Sequence, residues 1–192
     1  MEPIDAAAAR EHLEMADRII AQSSQRLCAG GEYFLVWGVY SGIATFCVVL
    51  VAAGILPRAA LWGDGGLLLA AILFSVLRGR SQRGSATRRS LVQREFFNVL
   101  WLTIGLAFVV NLAAFNLFSG IGGAAIWSFS ETIVLFYIGM HGNRRAQLAG
   151  VAVLASMIAA NFMSAPESGF TLAIGMIVGY GGFGLSELLV RE

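Results

Sequence analysis

A carboxylic acid, Glu131, lies near the middle of a long apolar run at 121–140, within the stretch WSFSET at 127–132. A polar group inside a lipid bilayer is costly when it has no partner, so this side chain needs a hydrogen bond or a function. Hydrocarbon favours the neutral acid, and we expect Glu131 to be protonated at rest. Two interpretations follow. One is a proton or cation site, and the other is a protonated acid that hydrogen-bonds to a neighbouring helix and fixes helix register.

Other polar side chains lie in or beside the apolar runs at a similar depth. With Glu131 they form a candidate polar intramembrane site, whose further members are Ser128, Asn111, Asn116, Asn161 and Asp64. If they converge, they would line a polar cavity open to the outside, where amide and carboxylate oxygens suit a hydrated cation or a small polar solute. The alternatives are that the Asn side chains join helices by hydrogen bonds, and that Asp64 lies among the lipid headgroups.

No other part of the sequence predicts catalysis or a bound cofactor. There is no P-loop, no GxSxG or HExxH motif, and no GxGxxG in a strand–helix context. Cys28 and Cys47 lack the spacing of a metal site or a disulfide framework. The net charge is +1, so no global basic field indicates a nucleic-acid partner. We therefore expect no catalytic residue, no cofactor and no metal.

Polar residues also mark the ends of two apolar runs. His141 and Asn143 precede Arg144, where positive charge at a helix C-terminus is favoured by the helix dipole. Glu187 lies near the end of the last run. We expect it to pair with a basic residue at the inner membrane interface, and Arg191 is a candidate at i+4.

The elements that must position these side chains follow from composition. The chain has 192 residues, of which 57% are hydrophobic and 13% are charged. A soluble domain of this size could not bury so much apolar surface, so the expected solvent is lipid. Residues 1–30 have mixed charge and helical apolar spacing, which predicts a cytoplasmic amphipathic helix. Residues 31–192 form the predicted transmembrane domain.

Six apolar runs in this domain are each about long enough to cross the hydrocarbon core. They lie at about 33–56, 59–77, 96–118, 121–140, 146–164 and 169–190. Helices are favoured because backbone polar groups in lipid must be paired within the segment. The predicted fold is an all-α membrane protein, a six-transmembrane-helix bundle of three helical hairpins.

The distribution of Arg predicts the orientation of the bundle. All thirteen cationic residues are Arg, and only Arg58 falls on the outer side when the N-terminus is placed inside. The loop between the second and third runs carries six of the other twelve. This positive-inside pattern predicts that both termini are cytoplasmic.

Glycine pairs predict close helix packing. Gly38 and Gly42 lie four residues apart in the first run, and Gly175 and Gly179 do so in the sixth. Such small-residue faces let two helices approach closely, either inside one bundle or between two copies of the chain. A homodimer through Gly38/Gly42 or Gly175/Gly179 is therefore one expectation beside packing within the bundle.

The whole chain resembles a group of uncharacterised bacterial membrane proteins of about this size. The residues that carry the resemblance are the stretch YFLVWG at 33–38, and LAI at 172–174 with Gly179, Tyr180 and the Leu pair at 188–189. The resemblance implies a short N-terminal helix followed by six transmembrane helices in a bacterial inner membrane. It implies no activity.

These observations lead to two expectations for function. The first is a non-enzymatic accessory or regulatory membrane protein, because catalytic motifs are absent beside a well-formed topology. The second is a small transporter or channel for a proton, cation or small polar solute, using the polar site around Glu131.

Overall fold

The computed structural model describes residues 30–83, 91–113 and 121–190. All regular structure in these ranges is helical. The predicted amphipathic helix at 1–30 lies almost wholly outside the described residues, as does Asn116.

The described helices follow the predicted apolar runs, with shifts of a few residues at their ends. They are α1 Gly31–Ala52, α2 Ala60–Arg83, α3 Leu91–Ala113, α4 Ile121–Met140, α5 Arg144–Ala160 and α6 Glu167–Leu189. Helix α6 contains one π-helical turn, Ile177–Gly181.

Five of these helices are long and apolar enough to cross a membrane: α1, α2, α3, α4 and α6. This confirms a helical protein with several candidate membrane spans. Helix α5 has 17 residues, which corresponds to a length of about 26 Å. The hydrocarbon core is about 30 Å thick, so α5 is marginal as a span and the sixth crossing stays a prediction.

Helix α1 ends earlier than the predicted run at 33–56 because glycine terminates it. Gly54 has a φ of 73°, in the left-handed region. The Ile55 N–H donates to Leu50 O at 2.9 Å and the Gly54 N–H donates to Val51 O at 3.1 Å. These two bonds are the Schellman motif, which satisfies the last helical carbonyls.

The helices pack around α6. Helix α6 contacts α1, α4 and α5, while α4 also contacts α1 and α5. Helix α2 packs against α1, and α3 packs against α4. The two helices of each predicted hairpin are therefore in contact, and the centre of the bundle consists of α1, α4, α5 and α6.

The core lies where α4, α5 and α6 meet. Leu135, Ile138 and Val153 are fully buried there, together with Met176 and Tyr180. By contrast, α2 and α3 expose large apolar side chains, with Trp62 86% and Trp101 69% accessible. A soluble protein rarely exposes such a surface, and hydrocarbon would cover it in a membrane.

Glycine sets how closely α6 approaches its neighbours. A Cβ atom on Gly38 would overlap the backbone of Gly181, and one on Gly42 would overlap Ile177. On the other side of α6, Cβ atoms at Gly175 and Gly179 would overlap Ser156 and Val153 of α5. Both predicted glycine faces thus pack within a single chain. A homodimer through the same faces stays a prediction, and it would require α6 to separate from α1 or α5.

Candidate functional site

Glu131 lies on α4, where that helix meets α1. The Ser41 hydroxyl of α1 donates to Glu131 Oε1 at 3.3 Å. The other carboxyl oxygen, Oε2, is buried and has no hydrogen-bond partner among the described residues. Half of the carboxyl group is therefore left without a hydrogen bond, which is unusual for a buried polar group.

A second group of polar contacts lies beside Glu131, between α4 and α6. The Tyr180 hydroxyl donates to Ser128 O at 2.9 Å and lies 3.3 Å from Thr132 Oγ1. Tyr180 belongs to the π-helical turn of α6 and is almost completely buried. We use the name polar seam for Ser41 and Thr45 of α1, Ser128, Glu131 and Thr132 of α4, and Tyr180 of α6.

The hydroxyl groups of the polar seam mostly bond within their own helices. Thr45 Oγ1 donates to Ser41 O at 2.8 Å, Ser128 Oγ donates to Ala124 O at 2.9 Å, and Thr132 Oγ1 donates to Ser128 O at 2.7 Å. Bonds of this kind satisfy a hydroxyl inside hydrocarbon without a second helix. The Ser128 side chain therefore lies in the seam without bonding to Glu131.

The remaining predicted site residues are not joined to Glu131 by hydrogen bonds in the part of the chain that the structure describes. Asn111 donates to Ala107 O and Asn161 donates to Met157 O, each at 2.9 Å and each within its own turn of helix. Asn161 is also exposed. Convergence of the predicted site into one polar cavity thus stays a prediction.

Asp64 lies on α2. Its Oδ1 atom is buried and has no hydrogen-bond partner among the described residues. Helix α2 packs on α1, and Trp37 Nε1 of α1 donates to Ser75 Oγ of α2 at 3.0 Å. An open apolar groove of about 360 Å³ runs between these helices, lined by Leu35, Ile43 and Phe74 among others.

The turn between α4 and α5 is attached to the end of α6. Asn143 Oδ1 accepts the Ala146 N–H at 3.3 Å and so caps α5, while Asn143 Nδ2 donates to Glu187 Oε1 at 3.1 Å. Arg145 Nη1 donates to Ser186 O at 2.9 Å. Sequence analysis missed the pairing of Asn143 with Glu187, although an Asn directly before a helix is a recognisable N-cap signal. The predicted partner Arg191 lies outside the described residues.

An ion pair joins the start of α1 to the last part of α2. The Arg78 guanidinium is bidentate on the Glu32 carboxylate: Nε donates to one oxygen, and Nη2 donates to the other at 2.6 Å. Such paired bonds fix orientation as well as charge. This contact was also missed, because nothing in the sequence links two residues 46 positions apart.

Comparison with protein-family models, with curated proteins and with solved structures finds no match. Among the described residues, no group of three His, Cys, Asp or Glu side chains could hold a metal ion.

Proposed function

We propose that the chain is a six-span protein of the bacterial inner membrane, with both termini in the cytoplasm, and that it belongs to the group it resembles. Five helices of sufficient length and apolarity support several crossings. The Arg distribution supports the orientation. The sixth crossing would be α5, which is packed between α4 and α6.

We further propose a non-enzymatic accessory or regulatory role. The observation that carries it is how the polar side chains of the described helices are hydrogen-bonded. Most of them either join two helices, as Tyr180 does by donating to Ser128 O, or bond to the backbone of their own helix, as Asn111 does by donating to Ala107 O. Side chains used in this way stabilise one arrangement of helices.

Reconstituted vesicles test this role. The purified protein is expected to produce no proton or cation flux above that of empty vesicles. The Tyr180→Phe variant, which loses the hydroxyl that donates to Ser128, is expected to lower the stability of the bundle in mild detergent. Flux through the wild-type protein that is lost in Glu131→Gln would contradict the accessory role.

Transport of a proton or small cation is the second candidate, and one observation favours it. Glu131 Oε2 is buried and has no hydrogen-bond partner in the described part of the chain, and an intramembrane acid in this condition marks an ion pathway in many transporters. The same vesicles decide between the two, since the transport proposal requires wild-type flux that Glu131→Gln abolishes. Absence of flux across protons and monovalent cations ends it.

A further inference from the structure

The carboxyl groups held by helix contacts in this protein differ in how completely they are bonded. Both oxygens of Glu32 accept from Arg78, and Glu187 accepts from Asn143. Glu131 has one oxygen on a Ser41 hydroxyl and one with no partner in the described chain. A carboxyl group that served only to fix helix register would be expected to have its oxygens bonded, as in Glu32.

We propose that Glu131 is an exchangeable proton-binding site inside the bundle, with Ser41 as its hydrogen-bonding partner. This inference rests on the proposed membrane crossing of α1 and α4. The ligand is a proton, and the binding atoms are the two carboxyl oxygens. A metal ion or an organic solute would need further oxygen ligands, and the described chain shows none aimed at Oε2.

Among the described residues, no charged side chain bonds to Glu131 and could fix its protonation state. Helix α1 presents the neutral Ser41 hydroxyl. Helix α6 presents Tyr180, whose hydroxyl donates to Ser128 O and lies 3.3 Å from Thr132 Oγ1. The described charged side chains of the helices packed on α4 lie towards the ends of those helices: Glu32 of α1, Glu95 of α3, Arg144 and Arg145 of α5, and Glu167 and Glu187 of α6.

These helix ends are distant from Glu131 compared with the length of a hydrogen bond. Glu32 and Ser41 are nine positions apart on α1, and at 1.5 Å per residue this is about 14 Å. Thus no cation in the described part of the chain neutralises the carboxylate, and no described carboxyl group competes for its proton. The charge of Glu131 then depends on a proton alone.

The partner groups can accommodate both forms of the acid. A Ser hydroxyl donates to a carboxylate and can accept from a protonated carboxyl group, so Ser41 can bond to Glu131 in either state. Tyr180 lies in the π-helical turn Ile177–Gly181, and π-bulges in α-helices occur frequently at functional sites. In neither form is Oε2 fully hydrogen-bonded by the described residues, so these hydrogen bonds fix neither protonation state of Glu131.

Infrared difference spectroscopy on the full-length protein in lipid vesicles tests this directly. A protonated carboxyl group gives a C=O stretching band that an ionised one lacks. We expect a band in acidic buffer that disappears in strongly alkaline buffer, is absent in Glu131→Gln, and is retained in the control Asp64→Asn. A Glu131 band that persists at all pH values would show a permanently neutral structural acid and overturn the proposal. So would the absence of any band that depends on Glu131.

A second pair of variants distinguishes an effect on proton binding at Glu131 from a loss of folding. Ser41→Ala removes the hydroxyl on Oε1 and is expected to shift the pH at which the band disappears. Ser130→Ala, whose hydroxyl donates to Ile126 O of its own helix, is expected to leave that pH unchanged. Equal behaviour of the two variants would contradict the role of Ser41.

The spectra do not depend on transport. A titrating band without flux ends only the transport candidate, and flux with a non-titrating band ends only the proton site.

Discussion

Asn143 illustrates how one side chain can connect three elements. Its oxygen caps α5 and its amide donates to Glu187 of α6, while its backbone lies in the turn that leaves α4. Both Asn143 and Glu187 are buried. Removing the amide would therefore remove a helix cap and leave a buried carboxyl group without this donor.

We expect Asn143→Ala to lower the free energy of unfolding by about 1–3 kcal/mol, the cost of a lost cap and of a lost hydrogen bond to buried Glu187. Unfolding in mixed micelles of mild and denaturing detergent would measure it. Asn161→Ala is the matched control, because Asn161 is exposed and bonds to its own helix. The control is expected to change the same quantity by less than about 0.5 kcal/mol. Equal losses in the two variants would contradict the connecting role of Asn143.

The Glu32–Arg78 pair is a residue-scale contact of smaller weight. The Arg78 side chain is 41% exposed and that of Glu32 is 23% exposed, so solvent screens the interaction. A double-mutant cycle with Glu32→Gln and Arg78→Gln is expected to give a small, favourable coupling free energy. The pair Glu32→Gln with Arg80→Gln, which replaces another exposed Arg of α2, is expected to be additive. A coupling of zero for the first pair would show that the ion pair contributes nothing in lipid.

At the scale of the helices, two classes of glycine have opposite roles. Gly38 of α1 lies against the backbone of Gly181 of α6, whereas a Cβ atom on Gly66 of α2 would meet nothing within 4 Å. Backbone atoms cannot move aside as a flexible side chain can, so the first position requires glycine. At the second position glycine only weakens the helix.

We therefore expect Gly38→Ala to destabilise the protein by about 1–3 kcal/mol through overpacking. Gly66→Ala is expected to be neutral or to stabilise by up to about 1 kcal/mol. Detergent unfolding would give both values, and size-exclusion chromatography would give the oligomeric state. If Gly38→Ala instead turned a stable dimer into an equally stable monomer, the homodimer would be supported and packing within one chain would be wrong.

The helices could be predicted from sequence, but most of their contacts could not. Apolar runs locate helices because the bilayer imposes both length and internal hydrogen bonding. A Gly–Gly spacing of four marks a close approach without saying which helix approaches. The sequence did not predict that Ser41 and Tyr180 lie beside Glu131, because these contacts join distant parts of the chain. Ser41 is 90 positions from Glu131. Tyr180 is 48 positions from Thr132 and 52 from Ser128. Only the folded chain identifies those partners.

At the scale of the whole molecule, α5 decides the topology. It lies between α4 and α6 and buries Ala146 and Val153 completely. Its 17 residues fall just short of the other candidate spans. Short connections precede and follow it, at 141–143 and 161–166. If α5 crosses the membrane, these two connections must lie on opposite sides.

Cysteine labelling tests this crossing in a background where Cys28 and Cys47 are replaced by Ala. We expect Arg144→Cys to react with a membrane-impermeant maleimide only from the cytoplasmic side and Ser164→Cys only from outside, since both positions are exposed at opposite ends of α5. Ser85→Cys in the basic loop marks the inner side and Arg58→Cys the outer side. If Arg144→Cys and Ser164→Cys reacted from the same side, α5 would not cross. The chain would then have five spans and its C-terminus on the side opposite to its N-terminus.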